Sequence, residues 1–261
     1  MNNPFTQAQP QHILITGATG GIGNALARSY AQSGVRLVLQ GRDRTRLTHI
    51  AQQCTELGAH VQAVEFDLSD AVAWQQWLAD YSAQQPIDLL IANAGVNINH
   101  GPDQAGESWE QVQQLLAVNV NAVFASVHGV LPSMRARGAG QIALLSSLAA
   151  YRGLAVTPSY SGSKAAIKVY GEGLRDWLAP QGVWVNVIMP GYVQSEMCAA
   201  MPGPKPFLWP ADKAARHIKK RLARNAARIS FPFPLNLGTW GLGLLHPRVS
   251  AWILRRLDYD A

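Results

Sequence analysis

Cysteine is nearly absent: Cys54 and Cys198 are the only two in 261 residues. That excludes a disulfide framework, and both are expected as free, buried or half-buried thiols in a reducing cytoplasm. No pair of Cys or His residues has metal-ligand spacing and the histidines are scattered, so no metal site is expected. Long hydrophobic runs are missing too; none approaches the roughly 20 residues that span a bilayer. Residues 1–10 have neither a basic start nor an apolar core, which reads as a flexible tail and not as a secretory signal. Repeats, low-complexity tracts and linkers are absent before residue 200. A composition of 48% hydrophobic and 15% charged residues fits one cytoplasmic domain over 11–261 with a substantial core.

Negative charge is scarce at one end. Residues 203–261 hold 11 Lys and Arg against 3 Asp and Glu, whereas 1–202 hold 11 against 13. The formal net charge of +6 therefore belongs to the last fifth of the chain. Nucleic acid is not expected as a partner, because the basic run lies in no recognised binding module.

What is there alternates. Short aliphatic runs at 12–16, 35–39, 61–66, 87–91, 141–145 and 184–188 read as strands. Helical patterns at 22–33, 43–57, about 107–137 and about 158–179 separate several of them. Continuous apolar strands between helices predict a parallel sheet of about seven strands covered on both faces, an α/β doubly wound fold.

The run Thr16-Gly-Ala-Thr-Gly-Gly-Ile-Gly23 falls between the first strand and the first helix. Gly17, Gly21 and Gly23 permit a tight turn and close approach to a pyrophosphate at a helix N-terminus. Thr19, Gly20 and Ile22 complete the candidate loop. The second strand ends Leu39-Gln-Gly-Arg42, with no acid to bind a ribose 2′-OH. Gly41 leaves room and Arg42 supplies a cation for a 2′-phosphate, so NADP(H) is favoured over NAD(H), with Arg44 and Arg46 as helpers. The bland alternative is a solvated arginine at a strand end.

Tyr160 and Lys164 are one helical turn apart, so on a helix they share a face. A cation beside a phenol favours phenolate and equips it for proton transfer. An exposed tyrosine beside a solvated lysine has the same spacing, so the pair alone does not decide. The set is wider, however. The glycine run, Asn93-Ala-Gly95, Asn119, Ser147, Tyr160-Ser-Gly-Ser-Lys164 and Pro190-Gly191 resemble, in order and spacing, the short-chain dehydrogenase/reductase superfamily of the classical type. The resemblance covers about 11–198.

It implies roles residue by residue. Tyr160 would be the general acid/base, and Lys164 would lower its pKa and bind the nicotinamide ribose. Ser147 would donate to the substrate oxygen, with the neighbouring Ser146 ranked behind it. Asn119 would hold a water linking Lys164 to solvent. Asn93, Ala94 and Gly95 would brace the sheet beside the cofactor. Asp67 and Leu68 would meet the adenine. Pro190, Gly191, Val193 and Ser195 would lie near the carboxamide, Ser195 where the family often has threonine. The implied activity is hydride transfer between nicotinamide and a carbonyl or secondary alcohol, with an acyl or lipid-like ketone as one substrate class. The alternatives are an NAD-linked alcohol or sugar dehydrogenase and a non-catalytic dinucleotide-binding sensor or scaffold. Gly20 stands where NADP-preferring members often carry a cation, so the cofactor preference rests on Arg42.

Past residue 191 the family diverges, and residues 192–229 are read as the substrate lid. Arg216, Lys220, Arg224 and Arg228 recur every four residues, predicting a basic stripe on a helix over 211–228. Residues 230–261 are apolar and basic. Three readings fit this part: a solvated lid helix with a packed tail, peripheral membrane contact through 211–257, or capture of an anionic substrate. By resemblance a homodimer or homotetramer is expected through the two long helices, with Gly171 and Gly173 permitting close approach.

Overall fold

The computed structural model describes residues 10–99 and 106–257, so most of the expected N-terminal tail lies outside the described residues. Seven strands form one all-parallel sheet in the order β3-β2-β1-β4-β5-β6-β7. They are β1 (His12–Ile15), β2 (Arg36–Gly41), β3 (His60–Glu65), β4 (Leu89–Ala92), β5 (Gly140–Leu145), β6 (Val183–Pro190) and β7 (Arg228–Phe231). Every residue of β1, β4, β5 and β6 is buried, as the unbroken apolar runs require when helices cover both faces. β3 is an edge strand and leaves most of its polar side chains in solvent.

One face of the sheet carries α1 (Gly21–Tyr30), α2 (Arg44–Glu56) and, later in the chain, α8 (Ala211–Leu222). The other carries α3 (Ala71–Gln84), α5 (Ala122–Arg137) and α6 (Pro158–Leu178). Side chains start several of these helices. Asp43 caps α2 by accepting from Arg46 N, and Asp70 caps α3 by accepting from Ala73 N. The capped α3 is an element that hydrophobic spacing did not single out. Its Trp74 is fully buried, donates to Ser126 Oγ at 2.8 Å and stacks on Trp77.

Two expectations for helices need correction. The helix expected over 107–137 is not uniform: α4 (Trp109–Leu116) passes into a wide π turn, Ala117–Asn121, before α5. The continuous stretch Trp109–Arg137 is long and apolar enough to cross a bilayer, yet its most apolar 18-residue window is 61% buried inside the protein. α5 packs on α3 and is a core helix of the second layer. The basic helix expected to reach 228 ends at Leu222. Asn225 takes a left-handed turn (φ 49°), and Arg228 is already the first residue of β7, paired with Val187. The four-residue stripe is therefore dispersed. Arg228 ion-pairs with Glu172 on α6 and lies over the Tyr151 ring.

Gly171 also differs from expectation. A Cβ there would stand 2.5 Å from Val187 Cγ2, so this glycine lets α6 settle on the sheet of its own chain. Gly173 faces open space. Beyond β7 the chain forms α9 (Leu235–Leu244) and α10 (Pro247–Arg256).

Candidate active site

Strand order reverses between β1 and β4, so the loops leaving their C-terminal ends diverge and open a crevice. Buried polar side chains fix its floor. Thr16 Oγ1 accepts from Asn93 N at 3.0 Å and Ala94 N at 3.1 Å. Asn93 Nδ2 returns bonds to Thr16 O and Gly17 O, both at 3.0 Å. From the other side Gln40 Oε1 accepts from Gly17 N at 2.9 Å, while its Nε2 donates to Phe66 O at 2.7 Å. Gln40 is 1% exposed. Sequence reasoning passed over it; the available signal was a lone amide ending an otherwise aliphatic strand.

The glycines then have specific reasons. Gly17 holds φ 62°, and a Cβ on Gly23 would fall 2.2 Å from Gly17 O. A Cβ on Gly21 would fall 2.7 Å from Gln194 O, so the start of the lid rests on the glycine loop. Gly41 is closely packed as well: a Cβ there would press on Thr19 Cγ2 at 2.8 Å. Its smallness thus has a packing cause apart from any phosphate.

α6 begins with Pro158 and lifts Tyr160 and Lys164 into the crevice on one face. Ser147, just past the end of β5, stands beside the Tyr160 hydroxyl and favours its ionised form. The serine Oγ accepts from Ala149 N at 3.1 Å, which fixes its rotamer. Ser146 turns away and donates to Lys164 O at 2.7 Å, a structural bond. Lys164 is 3% exposed; its Nζ donates to Leu145 O at 3.0 Å and lies 5.6 Å from the centre of the Tyr160 ring. Burial pushes the Lys164 ammonium down to about 8. Burial raises the Tyr160 phenol above its ordinary value, with Ser147 opposing. That differs from the expected lowering of the tyrosine by its lysine: burial is the largest influence, and the Lys164 hydrogen bond goes to a carbonyl.

One cavity of about 1000 Å³ runs through the crevice. Gly17, Thr19, Gly20, Gly21, Ile22, Gly23, Arg42, Asp67, Leu68, Asn93, Ala94, Gly95, Ser147, Tyr160, Lys164, Pro190, Gly191, Val193 and Ser195 all line it. Asn119 does not. It sits behind the wall in the π turn, accepting from Val96 N at 2.8 Å and donating to Val96 O at 2.9 Å and Ser163 Oγ at 3.1 Å. A Cβ on Gly95 would lie 3.2 Å from both Asn119 Oδ1 and Lys164 Nζ, so Gly95 keeps these two groups close.

Comparison with known proteins agrees with this arrangement. A family profile described as short chain dehydrogenase matches residues 11–203. The chain belongs to the short-chain dehydrogenase family. It is 37% identical over 228 residues to an uncharacterized oxidoreductase of Myxococcus xanthus, covering 87% of this chain and 89% of that one. It is 37% identical over 194 residues to a galactitol 2-dehydrogenase (L-tagatose-forming) of Cereibacter sphaeroides, covering 72% and 73%. A short-chain dehydrogenase from Sphingobium yanoikuyae in complex with NADPH superposes with a TM-score of 0.77 at 26% identity, over 95% of this chain and 94% of that one. As a member, the protein is an NAD(P)-dependent dehydrogenase/reductase.

The residues present fit a nicotinamide dinucleotide. The cradle leaves no space for a Cβ at Gly17, Gly21 or Gly23, and the N-cap of α1, Gly20, offers no side chain to the first helical N–H groups. Asn24 Oδ1 and Asn93 Oδ1 are buried acceptors without partners, both on residues of the cavity wall. At the end of β2 Arg42 is exposed and faces Asp67, whose carboxyl is held low first by the Ser69 N–H, then by the Ser69 side chain and Arg42. The expected helpers are engaged elsewhere: Arg44 stands 4.0 Å from Glu65, and Arg46 pairs with Asp43 and with Glu196 of the lid. Ser195 is committed as the N-cap of α7 (Glu196–Ala200), accepting from Cys198 N at 3.1 Å.

Past the Tyr160–Ser147 pair the wall is mostly apolar: Leu148, Met197, Met201, Leu235, Leu242 and Leu254 among others. Arg152 is the cation of this half, held by Ser250 Oγ at 2.9 Å. Sequence reasoning missed Arg152, which lies in a loop without a periodic pattern, and left the role of α9 and α10 open. Those helices roof the cavity.

Gly23→Ala tests the cradle. The new methyl meets Gly17 O inside normal contact, so NADPH affinity, read by quenching of protein fluorescence, should fall more than about tenfold. Unchanged affinity would mean that the loop is not the pyrophosphate seat.

Proposed function

We propose that this enzyme is an NADP(H)-dependent carbonyl reductase or alcohol dehydrogenase for an apolar ketone or secondary alcohol, with Tyr160 as acid/base, Ser147 as oxyanion donor and Lys164 as the supporting cation. The observation that carries the reading is that Ser147, Tyr160 and Lys164 converge on one cavity, between the glycine cradle and an apolar roof. The bound nicotinamide supplies the hydride. Tyr160 Oη passes its proton to the carbonyl oxygen as negative charge develops there, and Ser147 Oγ donates a second hydrogen bond to that oxygen. Both donors are held in place before reaction, so little reorganisation is needed. A phenol raised by burial stays protonated at neutral pH, the form that reduction requires. Lys164, charged below about 8, supports the phenolate left behind. Asn119 is a positioning residue, clamping the Val96 backbone and Ser163.

The preference for NADP(H) is supported by exposed Arg42 at the end of β2, by the missing acid there, and by the NADPH carried by a structural neighbour. The apolar wall favours a lipid-like carbonyl over a polyol, whose hydroxyls would lose water without gaining partners.

Three measurements test the reading. Tyr160→Phe should keep NADPH affinity and lose at least about a thousandfold in kcat against 3-oxoacyl thioesters and long-chain ketones; retained turnover refutes the assignment. Arg42→Ala should weaken NADPH far more than NADH in parallel titrations, whereas equal losses would remove Arg42 from phosphate recognition. The pH profile of ketone reduction follows from Lys164: the ammonium is intact below its pKa of about 8 and lost above it, so the rate should fall through that pH. A rate that is flat well past pH 9 would separate Lys164 from the chemistry.

A further inference from the structure

The charged groups on the wall of the large cavity fall into two sets. At the end of β2, Arg46 pairs with Asp43 and Glu196, and Arg42 faces Asp67. Among the described residues those three acids are the carboxylates that line the cavity. Lys164 belongs to the catalytic group. Arg152 is the cation left over, and it stands in the apolar half with Leu148, Leu235 and Leu254. It takes part in no ion pair among the described residues. Its head is nevertheless held. Nε donates to Ser250 Oγ at 2.9 Å and Nη1 to Gly153 O at 3.1 Å, and neither acceptor is charged. These bonds occupy two of the five N–H groups of a guanidinium. Ser250 is fully buried and donates in turn to Pro247 O at 3.1 Å, which orients it for the arginine. Arg152 also lines a smaller cavity of about 540 Å³, as does Arg255, so it stands on a wall that the two cavities share. The segment after β5 thus presents Ser147 and, five residues on, a restrained cation to the same cavity.

We infer that Arg152 is a specificity-determining residue: it seats a carboxylate carried on an otherwise apolar substrate, so that the enzyme selects oxo or hydroxy acids over neutral ketones and alcohols. A neutral donor would hold Ser250 and Gly153 as well, without the cost of taking a charge out of water. The charge gains its return from an anion, because a charge-assisted bond beside an apolar wall is stronger than a neutral one. One cation in this half of the large cavity matches one negative charge, which fits a carboxylate better than a phosphate dianion. Leu148, Leu235 and Leu254 then accept the hydrocarbon between that carboxylate and the reacting carbon. Asp258 and Asp260 follow in the sequence and lie outside the described residues, so the test includes both. That the bound acid is a substrate rests on the proposed function; that Arg152 seats a carboxylate does not.

The seat is tested without turnover by titrating the NADPH-bound full chain with decanoate and with decanol. Wild type should bind decanoate at least about tenfold more tightly, with a smaller margin at high salt. Arg152→Gln, which retains a donor for Ser250, should erase the margin while binding NADPH like wild type. Arg152→Lys should keep part of it. Tyr160→Phe, and Asp258→Asn with Asp260→Asn, should keep all of it. Selection during turnover is read from a series of oxodecanoates that moves the oxo group along the chain, each against its methyl ester. The ratio of kcat/KM for the best acid over its ester should be at least about tenfold in wild type and near one in Arg152→Gln. Equal binding of decanoate and decanol by wild type, or a margin unchanged in Arg152→Gln, would overturn the inference. So would a margin that emerges only in the Asp258 and Asp260 variant, because the chain's own tail would then be neutralising the cation. Reduction of neutral ketones with no preference for acids would sink the seat and leave the proposed reaction standing. Arg152-dependent binding of decanoate with no turnover of any oxodecanoate would do the reverse.

Discussion

The hydrogen bonds around Thr16 and Gly17 are the constraint on which the site depends. Thr16, Asn93 and Gln40 tie the ends of β1, β4 and β2 together through buried polar groups. Such groups are costly to leave unpaired, about 1–3 kcal/mol each, so the loops that follow have little freedom. Gly17 can then hold its left-handed turn, Gly23 can pass beneath it, and α1 begins where a phosphate would lie. The lid inherits the same restraint, since Gln194 and Ser195 rest on Gly21. The site is less a set of residues than the place where three strand ends are prevented from parting.

Burial works on the two titrating groups in opposite senses. It raises the neutral acid, Tyr160, and lowers the cation, Lys164, so the phenol holds its proton more tightly while the ammonium releases its own more readily. The lysine's bond to Leu145 O and the serine's to Ala149 N fix both partners from the end of β5. One strand end therefore positions the donor and restrains the cation, and one helix carries the phenol.

Much of this was legible in the sequence, because the motifs depend on local geometry. Aliphatic runs predict buried strands, glycines predict close approaches, and the Tyr160–Lys164 spacing predicts a shared helix face. What was not legible depends on long-range packing. Gln40 looked like any polar strand end until β3 and the Gly17 loop closed on it. Asn119 was placed at the site, but the π turn that aims it behind the wall has no composition signal. The basic stripe matched a helical period by chance of spacing, since the need to add β7 beside β6 ends the helix at Leu222. Gly171 carried no hint of whether its open side faced a partner subunit or the sheet beneath it.

That glycine has a consequence for how the enzyme tolerates change. α6 is a rigid rod: Tyr160 sits near one end and Gly171 lies eleven residues along, roughly 16 Å away at 1.5 Å per residue. At Gly171 the rod rests directly on Val187 and Leu144, with no side chain between them. Any atom inserted there wedges the rod from its bearing and tilts the far end, where the phenol meets Ser147. Reaction geometry is thus gauged by contact with β5 and β6, well away from substrate. A neutral-looking drift of sequence in the middle of this helix is sensed as a change in aim at its tip.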